Sequence, residues 1–574
     1  MRKISENQLR SLSSPGSFAR GRELYRTGAV YNTFRRGNDL KGKCQGTSAP
    51  YYQLHIRMDE DGIQAANCTC PFEWGGYCKH VIALVLTYIH DPQVFIEQKE
   101  IGALLKDLDR DVLVSIITKL TENNPDLYAW LQTYIEAATV KSDPAKPGKR
   151  QKSRVSRTEI RKQTQGILHS LQGYRMSEAY WMMGGMVEQL RQVIESAQAF
   201  LEAGDAEGAL TILTVVLTEV SGSYEQFDDS DGELGGFLDD LALPMTEAIL
   251  SANLSRTEAR NLARELEPVI DALVDYGIEE LEVVLTALER NWLDMPAPTR
   301  DFDPDDNILV EASLNVLERQ NRVKDYLEMC LQTGEYRRHI LKLIEMGEIK
   351  KAVQTAEETL NEAEDSLAVG IALRDSGYMD DALRVAEQGL ELSGDKSRLG
   401  KWLGPVEENR GQTEQAIRAY LAAFTSQPSL ELYSTLRRLS SAEWDDMKPV
   451  LMKVLRVSDY QHVLVDVYLF EEEWDRAIAV ADKAGLWNYS LIEKVADAVL
   501  PFRQDWVIQA SRIQAEALIA KTQSKYYAIA AHWLAKMRQA YLSSGRKTEW
   551  STYLDGLKST YARRPALQAE LRKL

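Results

Sequence analysis

Five times between residues 204 and 478 the chain repeats one short pattern: a Gly or polar residue, a polar or acidic stretch, then Ala followed by an aliphatic residue. It reads Gly347-Glu-Ile-Lys-Lys-Ala352-Val353, Gly377-Tyr-Met-Asp-Asp-Ala382-Leu383 and Gly411-Gln-Thr-Glu-Gln-Ala416-Ile417. Glu472-Glu-Trp-Asp-Arg-Ala477-Ile478 has the same form, and Gly204-Asp-Ala-Glu-Gly-Ala209-Leu210 echoes it upstream. Steps between successive alanines from Ala352 are 30, 34 and 61 residues, the last near twice the others. A small residue at a fixed place lets two helices approach, so the repeat predicts stacked helical hairpins. Almost continuous helical periodicity from about residue 158 to 574 agrees.

The 30–34-residue period resembles that of tetratricopeptide-type repeats, without their full signature. The expected architecture is a helical block over 158–300, then a TPR-like all-α solenoid over 301–574. The acidic connector Asp301-Phe-Asp-Pro-Asp-Asp separates them. Stacks of this kind offer extended surfaces to protein partners.

Ahead of the helices the chain has a different character. Four short strand-like runs, Val30–Phe34, Leu40–Gln45, Tyr51–Met58 and Ile63–Cys68, are separated by turn residues, the pattern of an antiparallel meander. Pro15–Gly28 reads as a short helix before them. The last run enters Cys68-Thr-Cys70-Pro-Phe-Glu-Trp-Gly-Gly-Tyr-Cys78-Lys-His80, which holds three of the five cysteines in eleven residues. Three thiolates and one imidazole close a tetrahedral structural Zn²⁺ site and leave no position open for water. Cys68 and Cys70 stand one residue apart and on a regular strand point to opposite faces, so the backbone must bend there. Pro71 fits such a bend, Gly75 and Gly76 let the connection loop back, and Cys78 and His80 open a helix over Val81–Ile89.

Cys-x-Cys, a short spacer and Cys-x-His resemble the SWIM-type zinc finger at Cys68, Cys70, Cys78 and His80. Phe18-Ala-Arg-Gly-Arg-Glu-Leu-Tyr-Arg-Thr-Gly-Ala-Val and Gly-Gly-Tyr-Cys-Lys-His-Val resemble segments of prokaryotic stand-alone SWIM proteins. The resemblance covers residues 15–95 and implies one structural zinc and an interaction with DNA or protein, not catalysis. The expected organisation is a finger domain over 1–95 (α+β, meander plus helices), a helical extension over 96–139 and a basic linker over 140–157, followed by the two helical parts.

Charge is divided along the chain. Residues 1–58 carry 11 Lys and Arg against 3 Asp and Glu, whereas residues 164–574 carry 43 against 68, within a total of −18. Arg20, Arg22, Arg26, Lys41, Lys43, Arg57 and Lys79 in the finger, with Lys149, Arg150, Lys152 and Arg154 in the linker, are the candidate nucleic-acid contacts. The competing account is plain: Lys41, Lys43, His55 and Arg57 form the wet side of a sheet, and the linker is a solvated hinge. Two functions therefore stand: an adaptor that joins DNA to a protein partner, and a protein-interaction scaffold whose finger only docks.

Catalytic patterns fail on inspection. Gly394-Asp-Lys-Ser-Arg-Leu-Gly400-Lys401 has five residues between its glycines where a phosphate loop has four, and Trp402 follows in place of Ser or Thr. In Tyr224–Glu233, setting Gly232 as a calcium-loop glycine puts Phe227 and Leu238 at ligand positions. No enzyme is expected. Neither a membrane-length apolar run nor a secretory leader behind Met1-Arg-Lys is present, and few cysteines suit a reducing compartment, so a cytoplasmic address is expected.

Overall fold

A computed structural model describes residues 6, 9, 13, 15–45, 51–58, 63–70, 77–98, 105–106, 108–122, 131, 135, 153, 155–171, 176–289, 307–441, 443–456, 460–485 and 488–574. The chain divides into two compact units, one of Met1–Asp109 with Ala423–Leu574, the other of Arg110–Ala422.

In the first unit, helix α1 (Pro15–Arg26) precedes strands β1 (Val30–Arg36), β2 (Asp39–Gln45), β3 (Tyr51–Met58) and β4 (Ile63–Cys68). Helix α2 (Lys79–His90) and the two-residue strand β5 (Ile96–Glu97) complete the domain. The sheet runs β4-β3-β2-β1-β5; the first four strands form the expected meander, and β5 pairs parallel to β1. Alternation sets its faces: in β3, Tyr52, Leu54, Ile56 and Met58 are buried while Tyr51, Gln53, His55 and Arg57 face solvent or are half-buried.

Helix α2 is buried from His80 through Thr87, on every side rather than along one stripe. A helix hydrophobic all round must be covered all round, and α2 is: it packs on the sheet and on α1. Ile82, Leu84 and Val85 join Phe18 of α1 and Leu40, Leu54 and Ile56 of the sheet in one core. Each such side chain contributes about 2 kcal/mol. Two glycines permit the approach. A Cβ on Gly21 would lie 2.6 Å from Ile82 Cγ2 and 2.7 Å from the Lys79 carbonyl; on Gly42 it would lie 2.8 Å from Leu84 Cδ1. α1 starts at Pro15, with Ser17 buried inside it, and the left-handed Gly28 follows its end at φ +66°.

In the second unit, helix Arg110–Glu122 follows the expected periodicity, yet none of its residues is buried. The companion segment Leu127–Ala138 lies almost wholly outside the described residues. Helices Arg157–His169, Met176–Glu202, Ala206–Ser221, Glu233–Asp239, Ala242–Ser251, Arg256–Val274 and Glu282–Glu289 then share one core, which extends into helix Asn307–Arg319 through Leu309, Ala312 and Val316.

From there the helices stack in series. Tyr336–Glu345 packs on Ile349–Thr359 and on Ala363–Asp375, which in turn packs on Met379–Gly389 and Ser397–Asn409. Contacts to the next and next-but-one helix are those of a solenoid of hairpins. Ion pairs one repeat apart tie the rungs, among them Arg398–Glu364 at 3.0 Å and Arg410–Asp380 at 3.3 Å. The first unit's helical part follows the same rule: Gln461–Phe470 packs on Trp474–Lys483 and on Tyr489–Val499.

The repeated sequence pattern coincides with the hairpin turns. Gly204, Gly347, Gly377, Gly411 and Glu472 all have positive φ. The next residue's N–H bonds back five residues, as in Tyr378 to Leu373 at 2.9 Å and Glu473 to Tyr468 at 2.8 Å, the closure that ends helices with a left-handed residue. Five residues beyond each, Ala209, Ala352, Ala382, Ala416 and Ala477 are fully buried.

Candidate metal centre

β4 stops at Cys68, and residues 69 and 70 bend away, so the two cysteines leave the alternation of the strand. Thr69 anchors the bend: its N–H donates to the Gln53 carbonyl at 3.1 Å, and its hydroxyl accepts from the Gln53 N–H at 2.9 Å. Pro71, Gly75 and Gly76 lie outside the described residues. The other half comes from the start of α2. Cys78 is its N-cap, with the sulfur accepting from the Val81 N–H at 3.5 Å. His80, on the first turn, is 2% exposed and lies against the Tyr52 ring, centroids 4.6 Å apart.

Four ligand atoms, from Cys68, Cys70, Cys78 and His80, lie within 4.8 Å of one another. His80 Nδ1 is 3.7 Å from the Cys68 sulfur and 3.9 Å from that of Cys78. In tetrahedral zinc, with bonds of about 2.3 Å to sulfur and about 2.0 Å to nitrogen, such donors stand about 3.6 Å apart. The donor set and its spacing therefore fit one zinc ion. The ring's other nitrogen, Nε2, is buried with no hydrogen-bond partner among the described residues.

Electrostatics single out the same cluster. Hydrogen bonds from Cys68 and Cys70 hold the Cys78 thiol far below the ordinary thiol range, helped by His80 and the Val81 N–H and opposed by burial. Sharing with Cys70 and Cys78 raises Cys68 correspondingly. Cys70 sits at about 11, its bond from Cys68 outweighed by that with Cys78 and by burial. A thiolate at a helix N-terminus flanked by two thiols is a donor set suited to a cation. Elsewhere burial is the largest cause that pushes Cys44 up to about 11, with Cys78 adding to it, and Cys330 up to about 12 against a hydrogen bond with Tyr326, leaving inert packed thiols.

Residues 55–89 match the SWIM zinc finger family, a span that holds all four ligands. This segment of the N-terminal domain is similar to the SWIM zinc finger. Over 114 residues the chain is 31% identical to the zinc finger SWIM domain-containing protein 8 homolog of Drosophila melanogaster, 20% of this chain and 5% of that protein. The chain thus spans about one twentieth of that relative. Among solved structures, the chain is similar at 15% identity to human IFIT1 in a dimer with PPP-AAAA (TM-score 0.19, 72% of this chain, 95% of that one). It is similar at 12% identity to the P58(IPK) TPR domain (TM-score 0.15, 72% and 97%). The fold of the helical part rests on the helix packing itself.

The N-terminal domain's candidate basic residues fall on two sides. Arg20, Arg22 and Arg26 are exposed on α1, on the helical side. Lys41, Lys43 and Arg57 lie on the solvent face of the sheet, where Arg57 and His55 both contact Asp39, at 3.2 and 2.8 Å. Lys79 is half-buried in the first turn of α2. Lys149, Arg150, Lys152 and Arg154 lie outside the described residues. Sequence reading passed over Tyr31 and Tyr51, which flank the lysines on the same face and are 41% and 39% exposed. Their alternation with Lys43 across strand partners was the available signal.

Proposed function

We propose that the chain is a non-catalytic adaptor: the SWIM finger and the basic linker bind nucleic acid, and the helical hairpins bind a protein. The observation that carries this reading is the separation of charge, a sheet face with Lys41, Lys43 and Arg57 on one domain against helical parts rich in Asp and Glu. The zinc ion holds the end of β4 to the start of α2 and so keeps the basic face in shape. The division into 1–95, 96–139, 140–157, 158–300 and 301–574, and the roles of Arg20, Arg22, Arg26, Lys79 and linker residues Lys149, Arg150, Lys152 and Arg154 as further phosphate contacts, belong to this proposal. Free thiols suit a reducing compartment such as the cytoplasm, and among the described residues no helix is long and apolar enough to cross a membrane.

Gel retardation of labelled DNA by the full-length protein at about 50 and 200 mM salt tests the reading. Binding that weakens steeply with salt supports it, because each neutralised phosphate releases counterions. No retardation at 50 mM salt leaves the finger a docking module on a protein scaffold. Recovery of protein partners from lysate with and without nuclease separates the two further: partners lost on nuclease treatment were held through nucleic acid.

A further inference from the structure

The solvent face of the finger's sheet carries more than charge. Reading across paired strands, one row holds Tyr31, Lys43 and Gln53, and the next holds Phe34, Lys41, His55 and Asn67. Tyr51 closes the end beside Lys43, whose ammonium stands 3.9 Å from the Tyr51 ring centre. Arg36 is exposed at the far end, opposite Asp39. Asp39 is the one acid on this face among the described residues, and it is already engaged by His55 and Arg57. Lys41 and Arg36 have no carboxylate partner among the described residues. A groove of about 760 Å³ crosses this face between Lys41, Gln53 and Asn67 and runs down to Tyr77 and the cysteine cluster.

We propose that this face binds single-stranded nucleic acid, with Tyr31 and Tyr51 as stacking platforms for bases and Arg36, Lys41 and Lys43 as phosphate contacts. It rests on the nucleic-acid role proposed above and narrows it. Three features argue for a single strand. Exposed aromatic rings on a sheet have use only for unstacked bases, which a duplex hides. Amide side chains at Gln53 and Asn67 can meet base edges, and cations between the rings meet the backbone. Shape decides between substrates: five strands at about 4.8 Å spacing make a face about 19 Å across, too broad for a major groove about 12 Å wide.

Fluorescence anisotropy with the zinc-loaded full-length protein tests this, using labelled 15-nucleotide DNA and RNA single strands and a 15-base-pair duplex. Single strands should bind at least about tenfold more tightly than the duplex. Tyr31→Ala and Tyr51→Ala should each weaken them about tenfold, the scale of one stacked base. Lys41→Gln should make the salt dependence shallower by about 0.7 in log–log slope. Zinc content and melting temperature, unchanged in the variants, separate contact loss from misfolding. If Tyr51→Ala loses zinc, Tyr31→Ala and Lys41→Gln still decide. Duplex binding as tight as single-strand binding, or tyrosine variants without effect, overturns this inference while the adaptor reading stands. Absence of binding to all three probes overturns both.

Discussion

Cys78 is at once a ligand, the N-cap of α2 and the acceptor for its two neighbouring thiols. Its replacement therefore removes more than one bond to metal. Cys78→Ser leaves a hydroxyl that can still cap the helix but supplies no thiolate, so the metal content measured by atomic absorption should fall well below the one ion per chain expected of the unaltered protein. Full occupancy in the variant would show that the remaining three donors suffice. Gly21 acts at the same scale through what it lacks. With Ile82 Cγ2 2.6 Å from a Cβ there, Gly21→Ala should cost about 1–3 kcal/mol by overpacking, read as a lower melting temperature of the finger. An unchanged melt would mean that α1 shifts without cost. The four ligands were legible in the chain because their spacing is covalent and their chemistry specific. The need for glycine at 21 was not, since it comes from Ile82, sixty-one residues on.

Elements show where local signals reach and where they stop. The meander strands were legible from turn residues and alternation; β5, two residues long, exists only because Ile96 and Glu97 meet β1 across the fold. Turns built on Gly or Glu472 followed by a buried Ala were legible as repeats. Others use the same geometry with a bulky fifth residue: Asn321 before Tyr326 and Gly545 before Trp550. The Arg110–Glu122 helix has the periodicity of a packed element, yet its apolar residues are solvent-accessible: Val114 and Leu120 are each 54% exposed. Periodicity reports that a face is apolar, not what covers it. Glu472 offers an element-scale test, being an exposed non-glycine residue at φ +58°. Glu472→Gly relieves the Cβ strain of that conformation and should stabilise the surrounding helices by about 1 kcal/mol, seen as a higher midpoint in urea. A lower midpoint would place the strain elsewhere.

At the scale of the whole molecule, metal and pH act through different groups. Among the described residues, the finger's core runs from Leu9 to Phe95 and shares no residue with the helical cores of Ile160–Val316, Ile340–Val385 and Ala363–Ala419. In the C-terminal helices Glu493 accepts from His532 at 2.6 Å and faces Lys536 at 3.4 Å, with Asp497 also bonded to Lys536. Burial alone would raise Glu493, but the hydrogen bond from His532 and the attraction of His532 and Lys536 outweigh it and hold the carboxyl at about 2, against an ordinary 4.5. A depressed carboxyl adds stability above its unfolded value and loses it as protons bind the folded form. Helical stability should thus fall as pH drops from about 4.5 towards 2, and Glu493→Gln should flatten that fall while costing about 2 kcal/mol at pH 7. Chelation at pH 7 should do the converse. Binding free energy at a structural zinc site is folding free energy, so EDTA should abolish the finger's near-ultraviolet and metal signals while far-ultraviolet circular dichroism keeps most of its helical amplitude. Collapse of the helical signal on chelation would mean that the hairpins depend on the zinc domain for their own stability.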